Sequence, residues 1–521
     1  MTQSQDDKIY KWLALMVVVL GTFMAILDSS IVNVAIPKMM TVFGVSTEEI
    51  QWVLTAYMLT MGSVIPLTGY LGDTFGTKKV YIWALVAFTI GSAACGFAWS
   101  NSTMIVARVI QALGGGMIMP ISMAIIYQVI PPEERGTALG IWGIASMAAP
   151  AIGPTLSGYI VEHLDWRLIF TINIPVGIVA IILAAILLKE SPTKPAEKFD
   201  FIGFITSTVG LVSILYVLGE GASVDWSEFK NVFLIMFGAF SLILFVLNEL
   251  FRDNPLLDLR VLKIWPFSLS IILSSLTSIA LFGGIFLMPL YLQNLQGLTP
   301  MQTGMIMFPS AIATGIMMPI SGKLFDKFGA KPVVIPGLVL LTWSTYELSQ
   351  ISMDTSSSVI MWLLVVRGIG MGLAMMPSTT AGMNTVPGPL VARASALSNV
   401  IRQIASSVGL TSLTTVMQHQ QAITYAELSE GISSFNNAAM QAQTTLQGLY
   451  TASGLGAEAP GMALMNLYGM VQKQATMLSI NDTFMISAVI ALLTVPLAIF
   501  LPKKTAKVQM ESGEQPHLMM E

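Results

Sequence analysis

Apolar residues run along this chain in stretches of about 20, each closed by a short cluster of basic, glycine or proline residues. A helix needs a run of that length to cross the roughly 30 Å core of a bilayer. About fourteen such runs can be counted, starting near Trp12, Gln51, Val80, Met104, Gly136, Leu168, Phe201, Val232, Phe267, Thr303, Val333, Val359, Leu397 and Ser479. The pattern predicts an all-α membrane protein with both termini on one side. Lys and Arg choose that side, because short cytoplasmic loops are enriched in them. With the termini inside, about 19 of the 25 fall in cytoplasmic segments, among them Lys78, Lys79, Arg135, Lys189, Lys194, Lys198, Arg260, Lys263, Lys327, Lys331, Lys503 and Lys504. Lys8 and Lys11 precede the first run without a small-residue cleavage site, so that run is expected to be retained as a span.

Composition agrees. Charged residues make up 10% of the chain, hydrophobic ones 54%, and mean hydropathy is +0.73, whereas a soluble domain carries about 25% charge. Cys95 is the single cysteine, which excludes an internal disulfide and a cysteine-rich metal or redox site. No P-loop sequence is present to bind ATP. Gly368, Gly370 and Gly372 stand within an apolar run without a preceding strand, so they are packing glycines rather than a dinucleotide fingerprint. His163, His419 and His517 have no metal partner at usable spacing. Neither an enzyme nor a nucleic-acid binder is expected, and no cofactor.

The loops after the second and tenth runs repeat one another. Gly69, Asp73, Gly76 and Lys78 in the first correspond to Gly322, Asp326, Gly329 and Lys331 in the second, and Arg108–Pro120 is echoed by Arg367–Pro377. Two copies of a six-span unit follow, with a two-span insert between them. The expected domains are an N-terminal six-helix bundle over 1–190, the insert with its linkers over 191–262, a C-terminal bundle over 263–502 with a long outer loop at 418–478 that has room for amphipathic helices, and a cytoplasmic tail at 503–521.

These residues resemble the major facilitator superfamily, specifically its drug:proton antiporters with fourteen spans. The resemblance rests on Leu27 to Pro37 with Asp28 and Asn33, on Gly69 to Lys79, on Arg108 to Gly116, on Pro150, Gly153, Pro154 and Gly158, and on Trp166 to Pro175 with Asn173. It implies two six-helix bundles around a central cavity lined by the first, fourth, ninth and twelfth spans, in a bacterial cytoplasmic membrane, driven by a proton gradient. It implies export of amphipathic drugs, dyes or antiseptics, the fifth-span motif being the one that the family associates with antiport. A dedicated exporter of one lipid, siderophore or metabolite is the alternative. In a two-membrane bacterium a periplasmic adaptor is a further expected partner. Thr74 departs from the family pattern, since many members carry a basic residue there, which leaves the partner of Asp73 open.

Few ionisable groups fall deep in the runs, and each such group is a functional candidate because burying it is costly. Asp28 lies roughly 24 Å into the first span and Arg108 roughly 6 Å below the outer end of the fourth, so they sit at matching depth. Low dielectric and a nearby cation act on a carboxyl in opposite senses, and the pair is the expected proton-coupling site. Arg108, Gln111, Gly115 and Met119 share one helical face. With Arg367, Met371 and Met375 they are the expected substrate cavity, a soft lining suited to varied ligands. Asp73 and Asp326, with Gly69, Gly76, Lys78 and Gly329, are the expected conformational gate, the second copy being weaker. Pro150, Gly153, Pro154 and Gly158 are expected to let the fifth helix bend and approach a neighbour. Glu347, Glu220 and Asp225 are weaker candidates, and Glu249 with Arg252 reads as an interfacial pair.

Overall fold

The computed structural model describes residues 3–502 apart from 192, 194–198, 220–223, 253–254, 431, 433–436 and 455–457. The tail at 503–521, Lys194, Lys198 and Glu220 lie outside the described residues, and of Pro154 only the backbone is described. The N-terminal half comprises α1 (Gln3–Phe43), α2 (Thr47–Val64), α3 (Leu67–Phe75), α4 (Thr77–Gly96), α5 (Asn101–Val129), α6 (Arg135–His163), and a short α7 (Leu168–Thr171) leading into α8 (Asn173–Leu187). Next come α9 (Phe201–Gly219) and α10 (Phe229–Phe251). The C-terminal half comprises α11 (Trp265–Leu290), α12 (Pro300–Phe328), α13 (Lys331–Leu348), α14 (Ser357–Met383), α15 (Val391–Glu430), α16 (Asn437–Ala452) and α17 (Ala459–Ile499).

Every expected run falls on a helix, counting α2 with α3 and α7 with α8 as single spans. Pro66 stands at the start of α3, where α2 and α3 meet at 53°; proline cannot continue the hydrogen-bond ladder there. Among the described residues, ten helices are long and apolar enough to cross a membrane, or eleven with the bent pair. The spans α6, α13 and α15 fall short of that measure for a physical reason. The first is rich in Gly, Ala and Ser, the second includes Lys331 and Glu347, and the third carries Arg393 and Arg402. Such residues suit helices that face other helices rather than lipid.

The basic residues Lys11, Lys78, Arg135, Lys189 and Lys327 lie at one end of the bundle, here termed the basic face. At that end the repeat seen in the sequence reappears in the backbone. Gly76 ends α3 at φ 89° and Gly329 ends α12 at φ 86°, a left-handed conformation open to glycine. The halves meet where α6 packs along α12 and where α3 packs against α15. A Cβ on Gly322 would stand 2.1 Å from the Gly136 carbonyl oxygen, so the α6–α12 contact requires glycine. In the insert, α9 packs on α2 and α15, one helix from each half, and α10 packs on α9. The Thr411 hydroxyl fastens α15 to α9 by donating to the Leu218 carbonyl at 2.9 Å.

One expectation needs correction and another is filled in. In the outer segment 418–478 the described residues are largely helical: α15 runs on unbroken to Glu430, α17 begins at Ala459, and α16 packs along α17. Its many Ala and Gln residues are good helix formers, which the low apolar content obscured. Glu249 does not pair with Arg252. It is fully buried and accepts the Leu257 N–H at 3.0 Å, while Arg252 pairs with Asp200 at 3.2 Å.

Candidate functional site

Asp28 on α1 is fully buried and receives donors from two other helices. Its Oδ2 accepts from Arg108 Nη1 at 2.7 Å, and its Oδ1 accepts from Gln111 Nε2 and Asn173 Nδ2, both at 2.8 Å. Arg108, 1% exposed, also donates to Gln111 Oε1 at 2.6 Å and to the Val53 carbonyl at 3.4 Å. Its guanidinium carbon lies 3.8 Å from the centroid of the Tyr57 ring. Gln111 donates in turn to Ser92 Oγ at 2.7 Å. The site therefore joins α1, α2, α4, α5 and α8. Each carboxylate oxygen faces donors, the arrangement a buried ion pair requires if its desolvation is to be offset.

Close helix packing makes this convergence attainable. A Cβ on Gly91 would lie 2.3 Å from the Gln111 nitrogen, and one on Gly114 would lie 2.3 Å from the Ala84 carbonyl oxygen, so α4 and α5 approach to backbone contact. The antiport-associated stretch of α6 supports α1 from the other side. Ser30 donates to the Pro150 carbonyl at 3.4 Å, and Ser157 donates to the Ile31 carbonyl at 2.7 Å. A Cβ on Gly153 would stand 2.4 Å from Ser30 Oγ. Gly158 differs from the expectation for this stretch, since nothing lies within 4 Å of its Cβ position and close approach does not account for it.

On the face of α5 read as cavity lining, Gln111 and Gly115 turn into the N-terminal half, and Met119 packs on a core shared by both halves. Gln111 belongs to the carboxylate's network, and a Cβ on Gly115 would lie 2.8 Å from the Tyr57 hydroxyl. Met119 is partly buried against the core. In the C-terminal half Arg367 is buried on main-chain carbonyls of α11, donating to Ala280 at 2.6 Å and Leu281 at 3.3 Å, and to Thr345 Oγ1 at 3.4 Å. Met371 lies in the core of that half, with Met375 packed beside it. Thus Arg108 and Arg367, equivalent in the sequence repeat, differ in the fold: one answers a carboxylate and the other a row of backbone oxygens. Asn173, Ser92 and Tyr57 were not singled out as site residues from the sequence, although Asn173 heads α8 within the Trp166–Pro175 motif.

At the basic face the two repeat aspartates reach across to opposite halves. Asp73 Oδ2 accepts from Arg393 Nε at 3.1 Å, linking α3 to the start of α15. A Cβ on Gly69 would stand 3.1 Å from the Arg393 Cα, so this glycine lets α15 approach. Asp326 accepts from the Gly136 and Thr137 N–H groups, both at 3.0 Å, and from the Thr137 hydroxyl at 2.8 Å, which caps the start of α6. Arg135 adds a bond to Asn384 Oδ1 at 3.0 Å. Arg393 answers the question posed by Thr74: the cation comes from the other half of the chain. Lys78 lines a cavity of about 320 Å³ beside Thr77, whose N–H donates to Ser191 Oγ at 2.7 Å. With these bonds formed, the halves are fastened together at the basic face. An apolar cavity of about 510 Å³ lies between α6 and α12, lined by Ile144, Ile152, Phe308 and Ile316, with Lys323 at its basic end.

Comparison with known proteins agrees with this architecture. A family model described as Major Facilitator Superfamily matches residues 18–410. The uncharacterized MFS-type transporter YhcA of Bacillus subtilis is 39% identical over 495 residues, covering 94% of this chain and 92% of that protein. The multidrug export protein EmrB of Escherichia coli K12 is 31% identical over 491 residues, covering 92% and 93%. Among solved structures, the proton:xylose symporter XylE superposes with a TM-score of 0.60 at 12% identity, covering 96% of this chain and 98% of that one, a likeness of fold. With its two helical halves, repeated loops and matched family model, this chain belongs to the Major Facilitator Superfamily of membrane transporters.

Proposed function

We propose that the chain is a proton-driven antiporter that exports amphipathic drugs, dyes or antiseptics, with its basic face and both termini in the cytoplasm. The observation that carries this reading is the ion pair of Asp28 and Arg108, fully buried in the N-terminal half with Gln111 and Asn173 completing its bonds. A structural strut does not need an ionisable pair there, since apolar residues of similar volume would hold the helices as well or better. The 31% identity to a protein named as a multidrug exporter supports the cargo. The lincomycin resistance protein LmrB of Bacillus subtilis, 31% identical over 420 residues and covering 80% of this chain and 88% of that protein, supports it as well.

In this mechanism the gate bonds of Asp73 and Asp326 hold the cytoplasmic side shut while the outer side admits a proton. Protonation of Asp28 cancels its attraction for Arg108, freeing α1 and α5 to shift. Ser30 and Ser157 pass that shift from α1 to α6, which forms the seam with α12. The halves then rock, the gate opens inward, substrate binds, and loss of the proton to the cytoplasm restores the pair. Inside-out vesicles test it. An imposed pH gradient should drive accumulation of a fluorescent substrate, and an uncoupler should abolish it; accumulation that persists with the uncoupler would refute proton coupling.

A further inference from the structure

We propose that Arg402 on α15 binds an anionic group of the ligand, so that the favoured cargo is an amphipathic organic anion; this deepens the export reading given above. All ten residues from Val391 to Val400 are buried, whereas Arg402 is half-buried and Gln403 is exposed. The continuous burial around Arg393 therefore relaxes at Arg402, nine residues or roughly 14 Å further along α15, before Ser406 is buried again. Ser395, Asn399, Arg402 and Ser406 share one helical face. That face looks toward the N-terminal half, because the Ser395 hydroxyl donates to the Pro120 carbonyl of α5 at 3.2 Å.

The guanidinium is oriented but not neutralised. Asn399 donates its Nδ2 to the Ser395 carbonyl at 2.9 Å, which turns its Oδ1 to accept from Arg402 Nη2. No carboxylate pairs with Arg402 among the described residues. The contrast with other arginines is informative: Arg108 has Asp28, Arg393 has Asp73 and Arg252 has Asp200, while Arg135, Arg260 and Arg367 rest on main-chain carbonyls, a support that Arg402 is not given among the described residues. A guanidinium offers five N–H donors in a planar fork that matches a carboxylate, sulfonate or phosphate. Holding such a group partly desolvated without an acid is costly unless an anion joins it. Asp28 does not serve, since Arg108 already balances it within the other half.

The test uses the purified full-length protein in detergent, with fluorescein as the anionic probe and rhodamine 6G as a cationic one of similar shape, both followed by fluorescence polarisation. Arg402→Gln should weaken fluorescein binding about tenfold or more, and Arg402→Lys should restore part of it, while rhodamine binding stays equal or tightens. Equal loss of both dyes, an unchanged affinity for fluorescein, or wild-type binding of rhodamine alone would each overturn the proposal. Competition with phosphatidylglycerol separates two sources of the same chemistry: displacement of fluorescein identifies a lipid head group, and no displacement a soluble anion. Vesicle efflux keeps the two readings apart. Arg402-dependent binding without pH-driven efflux would sink antiport and leave this site; efflux of fluorescein that ignores Arg402 would sink the site alone.

Discussion

Substituting Asp28→Asn separates the energetic role of the buried pair from its role in coupling. Three donors converge on the two oxygens of Asp28, from Arg108, Gln111 and Asn173. An asparagine supplies one oxygen, so whichever way its amide turns, at least one donor is left facing another. Arg108 is left without its counter-charge at 1% exposure. Removing one partner of a buried pair costs about 3–5 kcal/mol. Gln111 Oε1 at 2.6 Å and the Tyr57 ring at 3.8 Å remain on the guanidinium, which places the expected loss near the lower end, about 3 kcal/mol. Arg108→Gln strands the carboxylate in the same way. The double variant strands no charge and should recover about 1–3 kcal/mol relative to the sum of the singles. Unfolding in detergent micelles followed by tryptophan fluorescence measures all three. Uphill efflux in vesicles should be lost in every one of them, the double variant included, because none retains a titrating Asp28 paired with Arg108. Additive stabilities would refute the energetic argument. Accumulation by Asp28→Asn or by the double variant under an imposed pH difference would refute the assignment of the proton, and Glu347 would be tested next.

Gate and packing make further predictions. Asp326→Asn should slow alternation at least as much as Asp73→Asn, contrary to the order expected from the motif alone, because Asp326 holds three donors on α6; transport rates at matched expression decide the order. Arg393→Ala should reproduce Asp73→Asn, and the two changes together should add little to either, which a rate double-mutant cycle reads directly. Gly91→Ala should disrupt coupling from a distance, since its Cβ would meet the Gln111 nitrogen at 2.3 Å and push α4 off α5. Intact uphill efflux in that variant would show that the network tolerates the displacement.

Hydropathy determined the membrane class, because a 20-residue apolar run has no other stable solvent. The repeat of Gly69–Lys78 in Gly322–Lys331 determined the two halves, since glycine at Gly76 and Gly329 marks a backbone turn that residues with a Cβ rarely adopt. Depth counting brought Asp28 and Arg108 to the same level, for helix rise is fixed at 1.5 Å per residue. What only the tertiary structure decided is which way each helix turns. Gln111 and Gly115 face the interior of their own half, where Arg108 meets both Asp28 and Tyr57. Asn173, Arg393 and Thr137 joined the site and the gate from helices distant in sequence, where only packing supplies the contact. Much of the segment 418–478 is helix, carried by its Ala and Gln residues and by the packing of α16 along α17 rather than by a long apolar run.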